Sequence, residues 1–459
     1  MIIMLQQFIN RKYELNFLNN KYTENKSQLI IIYGRRRVGK TELIKEFINK
    51  KKAVYHLCTE DSLLENVNYL KLEFYNITGK SYFLNLDVDL FTLFKYFIEE
   101  IKNEKIIIVF DEIPYLISIS KGVLSVFQKI YDELIINSNL FIIFSGSSIS
   151  MMENEILNFK SPLYGRRTGS IEITGFDINL ISHFYNNNFE DIVKIDSIFG
   201  NIPFYLSLID KSKSIEWNIK NKIFTKGEIL YEEPKILLKE EFREPRVYEL
   251  ILKKISEGYN TYGKLQNSLH IDSGNISKYL ETLISSRFIR YVIPLNQKRR
   301  GIYEVNDYFL NFYYKFVYPN ISDLEIGNIN TVYNRIDRDL NTFYGHTFER
   351  IVLNMISKHI IPVPIENFHI SKFWHKDIEI DGVAINDENG VVFIEIKFSS
   401  DVDGIKIFKD LKYKSMNVNI KRNGEFFMVI AKSFKTKSDE CINIDFDDIG
   451  KIIKKLNKS

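Results

Sequence analysis

The sequence predicts an α/β protein of several domains, opening with a helix-covered parallel sheet and closing with a smaller α/β unit. Three observations lead there. Short, almost purely apolar runs (LIIIY at 29–33, AVYHLC at 53–58, IIIVF at 106–110 and LFIIF at 140–144) alternate with helix-like segments from Gln28 to Thr174, the pattern of strands buried on both faces. From Gly175 to about Phe242 helical periodicity in Lys- and Glu-rich sequence takes over, as expected of a small helical lid. At 459 residues the chain also exceeds one compact core and divides into about three domains.

Composition narrows the function. Hydrophobic residues make up 45% and charged residues 26%, a globular balance. Lys plus Arg total 62 against 59 for Asp plus Glu, a net charge of +3, so any affinity for nucleic acid must come from local patches. The two cysteines, Cys58 and Cys441, lack CxxC spacing, which excludes a disulfide framework and a thiolate zinc site and suits a reducing cytoplasm. The seven histidines form no HExxH pattern and receive no chemistry. The opening MIIMLQQFINRK is too short an apolar run for a signal peptide, and no run reaches the ~18 apolar residues of a membrane span, so a soluble protein with no membrane partner is expected.

The first chemical signal follows the first apolar run. Gly34-Arg35-Arg36-Arg37-Val38-Gly39-Lys40-Thr41 matches GxxxxGK[ST], comes directly after LIIIY, and opens the helical segment TELIKEFINK. The glycines let the backbone curl so that successive N–H groups face phosphate oxygens, and the following helix adds its positive end. Lys40 is expected to reach the β- and γ-phosphates of ATP, and the Thr41 hydroxyl to ligate Mg2+. In IIIVFDE a buried strand carries Asp111 and Glu112 to its C-terminal edge, where such sheets bind ligands. Asp111 is expected to hold the magnesium through water and Glu112 to polarise the attacking water, so hydrolysis is expected and not only binding. Ser147, ending the next strand, is a candidate to contact the γ-phosphate, with turn formation an equal explanation. Arg166 and Arg167 in SPLYGRRTGS are candidates to bring positive charge to the transition state, in cis or from a neighbouring subunit, against simple surface charge.

Together FINRKYELNFL, YGRRRVGKTEL, VFDEIPYL, SGSSISMM, SPLYGRRTGS and GNIPFYL resemble the archaeal-type ATPases of the broad AAA/STAND P-loop class, from about Phe8 to Leu206. The resemblance implies a sheet with one strand inserted between the P-loop strand and the Asp111 strand, and an adenine pocket near Phe8 and Arg11. This chain has Gly200-Asn201 where the family carries a glycine pair before Ile-Pro.

Between about Pro245 and Asp307 three short helical patterns precede the β-like runs FIRYVIPL and GIYEVND, joined by the basic turn NQKRR, an order that suggests a winged helix-turn-helix. Lys278, with Asn275 and Ser277, falls in the recognition-helix position, and Lys298, Arg299 and Arg300 at the wing tip, where cations meet DNA phosphates. The alternative is a relay that packs against the ATPase and touches no DNA. Beyond a connection at 311–341, the final part reads helix 342–358, strands near 377–386 and 391–398, helix near 404–416 and strand 425–431.

That part holds Glu349 in GHTFERIVLNMI, Asp381 in DIEIDGVAI, and Glu395 with Lys397 in VVFIEIKFS. Strand alternation puts Glu395 and Lys397 on one face. Asp381 and Glu395 are candidates to bind Mg2+ and polarise a scissile phosphate, with Lys397 orienting the water and Glu349 completing the ligand set. The alternative is a degenerate nuclease fold or an internal salt bridge between Glu395 and Lys397. The arrangement resembles the PD-(D/E)xK restriction-endonuclease-like fold over about 342–430, with Ile380 where the motif has proline. The expected division is then 1–174 P-loop ATPase core, 175–242 helical lid, 243–310 winged helix-turn-helix, 311–341 linker and 342–459 restriction-endonuclease-like domain. Two functions remain open: an ATPase that couples nucleotide state to DNA binding and metal-dependent cleavage, as an oligomer or alone, or a regulatory ATPase whose C-terminal half binds DNA or a partner without cutting.

Overall fold

The computed structural model describes residues 11–185, 188–297 and 300–456, and the chain separates into two compact units, 1–175 and 176–459. In the first, strands β1 (Gln28–Tyr33), β2 (Ala53–Leu57), β3 (Ile107–Asp111), β4 (Phe141–Gly146) and β5 (Gly169–Glu172) form one parallel sheet in the order β2-β3-β4-β1-β5. β3 and β4 are buried at every position, so their sequences are continuous apolar runs and not alternations. One face packs Leu29, Ile31, Ile108, Phe110, Ile142 and Phe144 against the helices Leu63–Thr78, Leu90–Ile101 and Val123–Ile130. There the Phe74 and Phe97 rings stack at 3.8 Å between centroids. On the other face Tyr22 and Phe47, from the helices Lys12–Thr23 and Lys40–Ile48, close over Phe141.

β4 lies between β1 and β3, as the family resemblance implied. The ends of β1 and β3 therefore flank the end of β4, and the residues following all three strands meet at one edge. β5, which pairs with the far side of β1, gave no apolar run, because none of its four residues is buried.

In the second unit, residues 176–242 hold the helices Ile178–Phe184, Phe189–Phe199, Pro203–Ser207, Ile215–Asn218 and Ile229–Glu241. The helices Pro245–Ser256, Tyr262–Leu269 and Ser273–Ser285 follow, and then an antiparallel ladder of β6 (Ile289–Val292) and β7 (Ile302–Val305). Residues 311–341, expected to be a connection, are largely helical. Tyr308–Phe312 opens a helical run through Glu325, and one long helix spans Ile329–Ser357. Val332, Ile336, Leu340 and Phe343 are buried at helical spacing along it, so packing carries the helix through sequence rich in Asn and Asp. The last sheet runs β14 (Ile442–Ile444), β12 (Gly424–Ala431), β10 (Gly390–Lys397), β9 (Ile378–Asn386), β8 (Phe368–His375), with a separate pair of β11 (Val402–Asp403) and β13 (Phe434–Thr436) and the helix Gly404–Ser415 packed on its centre. β8, β14 and the terminal helix Phe446–Leu456 are additions to the sequence reading. Among the described residues no helix is long and apolar enough to cross a membrane.

A candidate nucleotide site

The loop between β1 and the helix Lys40–Ile48 is built on two glycines. Gly34 has φ 149°, and a Cβ there would lie 2.1 Å from the Ile173 carbonyl oxygen, a clash with backbone that only glycine avoids. Gly39 caps the helix in the left-handed region at φ 94°. The Lys40 side chain is buried against the loop, its Nζ donating to the carbonyl oxygens of Gly34 at 2.9 Å and Arg35 at 3.1 Å. Arg11 fastens the loop from outside: its Nη2 donates to the Val38 carbonyl at 2.8 Å and to the Thr174 carbonyl at 2.7 Å. The guanidinium thus ties the P-loop to the chain beyond β5. Phe8, the other residue expected near the adenine, lies outside the described residues.

Across the edge, Thr41 Oγ1 donates to Asp111 Oδ2 at 2.9 Å. Asp111 is buried, and its Oδ2 also accepts a short hydrogen bond from the Tyr55 hydroxyl on β2. Burial, and then the Asp111 charge, push the Tyr55 phenol far above its ordinary pKa, so it is held as a donor. A threonine hydroxyl and an aspartate carboxylate facing each other at the mouth of a P-loop are hard oxygen donors that suit Mg2+. Glu112 stands at φ 56°, in the left-handed region that few non-glycine residues adopt. Its Oε2 accepts from both the Ser147 backbone N–H at 3.0 Å and the Ser147 hydroxyl at 2.7 Å. Ser147 follows β4, the strand between the other two, and there it grips Glu112. The sequence alone is equally consistent with a phosphate contact and a turn at this position.

The arginines separate. Arg36 Nη2 reaches the Tyr115 hydroxyl at 3.2 Å, while Arg35 and Arg37 flank it, partly exposed, with Arg37 at φ 69°. Arg166 is engaged by Asp132 through Nε at 2.7 Å and Nη2 at 2.8 Å, and its Nη1 donates to the Pro162 carbonyl at 3.0 Å. As placed it braces its own loop. Arg167 instead lies 5.7 Å from the centre of the Tyr164 ring.

In the second unit Asp381 on β9 and Glu395 on β10 do come together. Asp381 Oδ2 accepts the Ile396 N–H at 2.7 Å, and burial followed by the Glu395 and Glu349 charges pushes the Asp381 carboxyl up to about 7. Glu395 Oε1 accepts from Lys397 at 2.7 Å and from Lys414 at 3.1 Å, whereas no described residue donates to its buried Oε2. Lys414, on the helix Gly404–Ser415, was not picked out in the sequence. Glu349, the expected third ligand, forms an ion pair with Lys372 of β8, and among the described residues no three carboxylate, imidazole or thiolate groups converge to hold a metal. Of the expected DNA contacts, Lys278 on the helix Ser273–Ser285 and Arg300 before β7 are exposed, while Lys298 and Arg299 lie outside the described residues.

Residues 8–206 match a family described as an ATPase domain predominantly from Archaea, and residues 313–416 match one described as archaeal and bacterial proteins of unknown function. An uncharacterized protein of Methanocaldococcus jannaschii is 32% identical over 456 residues, covering 96% of this chain and 99% of that protein. An uncharacterized ATP-binding protein of the same organism is 67% identical over 45 residues, 10% of this chain and 76% of that protein. Among solved structures, the Walker-type ATPase of Pyrococcus abyssi superposes with a TM-score of 0.51 at 22% identity, over 67% of this chain and 96% of that one, a likeness of fold.

Proposed function

This chain belongs to the family of archaeal P-loop ATPases, and on that premise we propose an ATP-driven switch that couples nucleotide state to DNA binding. One observation carries the ATPase part: Lys40, Thr41, Asp111, Glu112 and Ser147, from three separate strand ends, meet at one edge of the sheet. The loop N–H groups and Lys40 hold the triphosphate tail, the ammonium exchanging the Gly34 and Arg35 carbonyls for phosphate oxygens. Thr41 and Asp111 would hold Mg2+, which when bound neutralises charge on the phosphates. Glu112 orients the attacking water and withdraws its proton, while Ser147 fixes the carboxylate that does so. Arg167 is the arginine kept for the transition state, in cis or from a second copy.

The DNA part rests on the order of three helices and a ladder over 245–305, which supports a winged helix-turn-helix with Lys278 and the basic turn at 298–300 on phosphates. A second reading adds metal-dependent cleavage by a restriction-endonuclease-like domain, favoured by Asp381, Glu395 and Lys397 sharing one site and by the open Glu395 Oε2. The competing reading, a regulatory ATPase that cuts nothing, is favoured by the two lysines already seated on Glu395. Fluorescence anisotropy of a labelled duplex tests the coupling with the full chain in ATP analogue, ADP or no nucleotide. Affinity that depends on nucleotide in wild type and not in Lys40→Ala is expected; equal affinity in all three states refutes the switch.

A further inference from the structure

β2 is the edge strand of the first sheet, and its residues alternate between two faces. Val54 and His56 are buried, so Ala53, Tyr55 and Leu57 turn to the opposite side. β2 runs parallel to β3 with Tyr55 beside Val109 and Leu57 beside Asp111. Tyr55 therefore shares the Asp111 face, one side-chain step earlier along the strand, and the phenol is long enough to cover that step.

Its hydroxyl ends on Asp111 Oδ2, the oxygen that Thr41 Oγ1 also meets at 2.9 Å, while Oδ1 accepts the Glu112 N–H at 3.2 Å. Three donors thus fix the rotation of one carboxylate. The Glu112 N–H is adjacent in the chain and constrains little, and the Thr41 hydroxyl is itself a candidate ligand of the cation. Tyr55 is the remaining long-range donor. A phenylalanine would fill the same space on the strand face, so packing gives no reason for the oxygen.

The geometry points to Tyr55 as a positioning residue of the nucleotide site: its hydroxyl holds the Asp111 carboxylate in the orientation that serves a divalent cation beside the triphosphate. This rests on the ATPase reading and adds to it a residue outside the P-loop and the Asp111–Glu112 pair. Groups that hydrogen-bond a metal's carboxylate ligand typically change metal affinity roughly 10–100-fold when removed.

The test uses the full chain with Tyr55→Phe. Binding of Mn2+ to the complex with a non-hydrolysable ATP analogue, read from the electron-spin signal of free Mn2+, is expected to weaken roughly 10–100-fold. The Mg2+ concentration for half-maximal ATP hydrolysis rises in step, with kcat recovered at high Mg2+. ATP binding in chelator stays unchanged, because Tyr55 meets the carboxylate and not the P-loop. Wild-type Mn2+ affinity in the variant, with or without a lowered Tm, overturns the role and leaves Tyr55 as packing. Wild-type protein that binds no ATP in any condition removes the ATPase reading itself, and this role with it.

Discussion

Replacing Glu112 by Gln isolates charge from shape. The Ser147 N–H at 3.0 Å and the Ser147 hydroxyl at 2.7 Å both donate to a single Glu112 oxygen, and the amide oxygen of Gln can accept both. The side chain stays where it is and loses only the capacity to take a proton. General-base catalysis is typically worth about 10²–10⁴ in rate, or roughly 3–5 kcal/mol of barrier. Steady-state phosphate release should therefore fall by that factor in Glu112→Gln, with ATP affinity preserved. Ser147→Ala keeps the backbone donor and loses one hydrogen bond to a charged group, at most about 1.5–3 kcal/mol, so its rate should lie between wild type and Glu112→Gln. A Glu112→Gln enzyme that hydrolyses ATP near the wild-type rate would refute the assignment of the base. A Ser147→Ala enzyme slower than Glu112→Gln would show that Ser147 acts on the nucleotide itself.

Lys40→Ala removes the ammonium that the loop carbonyls hold, and titration calorimetry should show ATP binding lost while the thermal melt is retained; tight binding by the variant would displace the nucleotide from this loop. Asp196, wholly buried and pushed up to about 8 chiefly by burial, has an Oδ1 that no described residue meets. Its folded pKa lies above the ordinary 3.8, so the neutral form favours folding and stability drains away as pH rises from about 4 through about 8. Asp196→Asn should therefore melt higher than wild type at pH 8 and similarly near pH 4, by on the order of 5 kcal/mol at most; an equal Tm at pH 8 would mean that the carboxylate is compensated in the folded protein. If the second unit cuts DNA, supercoiled plasmid in Mg2+ or Mn2+ is nicked by wild type and left intact by Asp381→Ala, and intact plasmid with both proteins leaves the regulatory reading.

How far the sequence carried depended on whether a residue's partner was local. The P-loop was legible because its chemistry lies in consecutive backbone groups, and Gly34 and Gly39 announce the turn that bends them. Asp111 and Glu112 were legible because a fully buried strand ending in two carboxylates has few other uses beside a P-loop. Tyr55 was not, since its contact with Asp111 depends on the pairing of two strands 56 residues apart, and AVYHLC read only as apolar sequence. Ser147 stands out at a strand end, but its partner depends on β4 lying beside β3, which periodicity cannot report.

The second unit shows the same limit with a larger consequence. β8 has a single buried residue, Phe373, among eight, so it carries no alternation for a reader to find. Yet Lys372 on that strand is what pairs with Glu349, a partner that the sequence pattern does not show. The helix Gly404–Ser415 was expected nearly to the residue, but which of its lysines faces the sheet follows from its rotation against β9, β10 and β12. That rotation delivers Lys414 to Glu395. Two carboxylates remain with two cations around them, and burial together with the Glu395 charge holds the Asp381 carboxyl well above the usual carboxylate range. A divalent ion entering there meets the open Glu395 Oε2 but must displace a proton from Asp381, so occupancy by metal should strengthen as pH rises. Repulsion between the carboxylates is only partly offset by Lys397, since, beyond burial, the Glu395 and Glu349 charges still hold Asp381 above the usual carboxylate range.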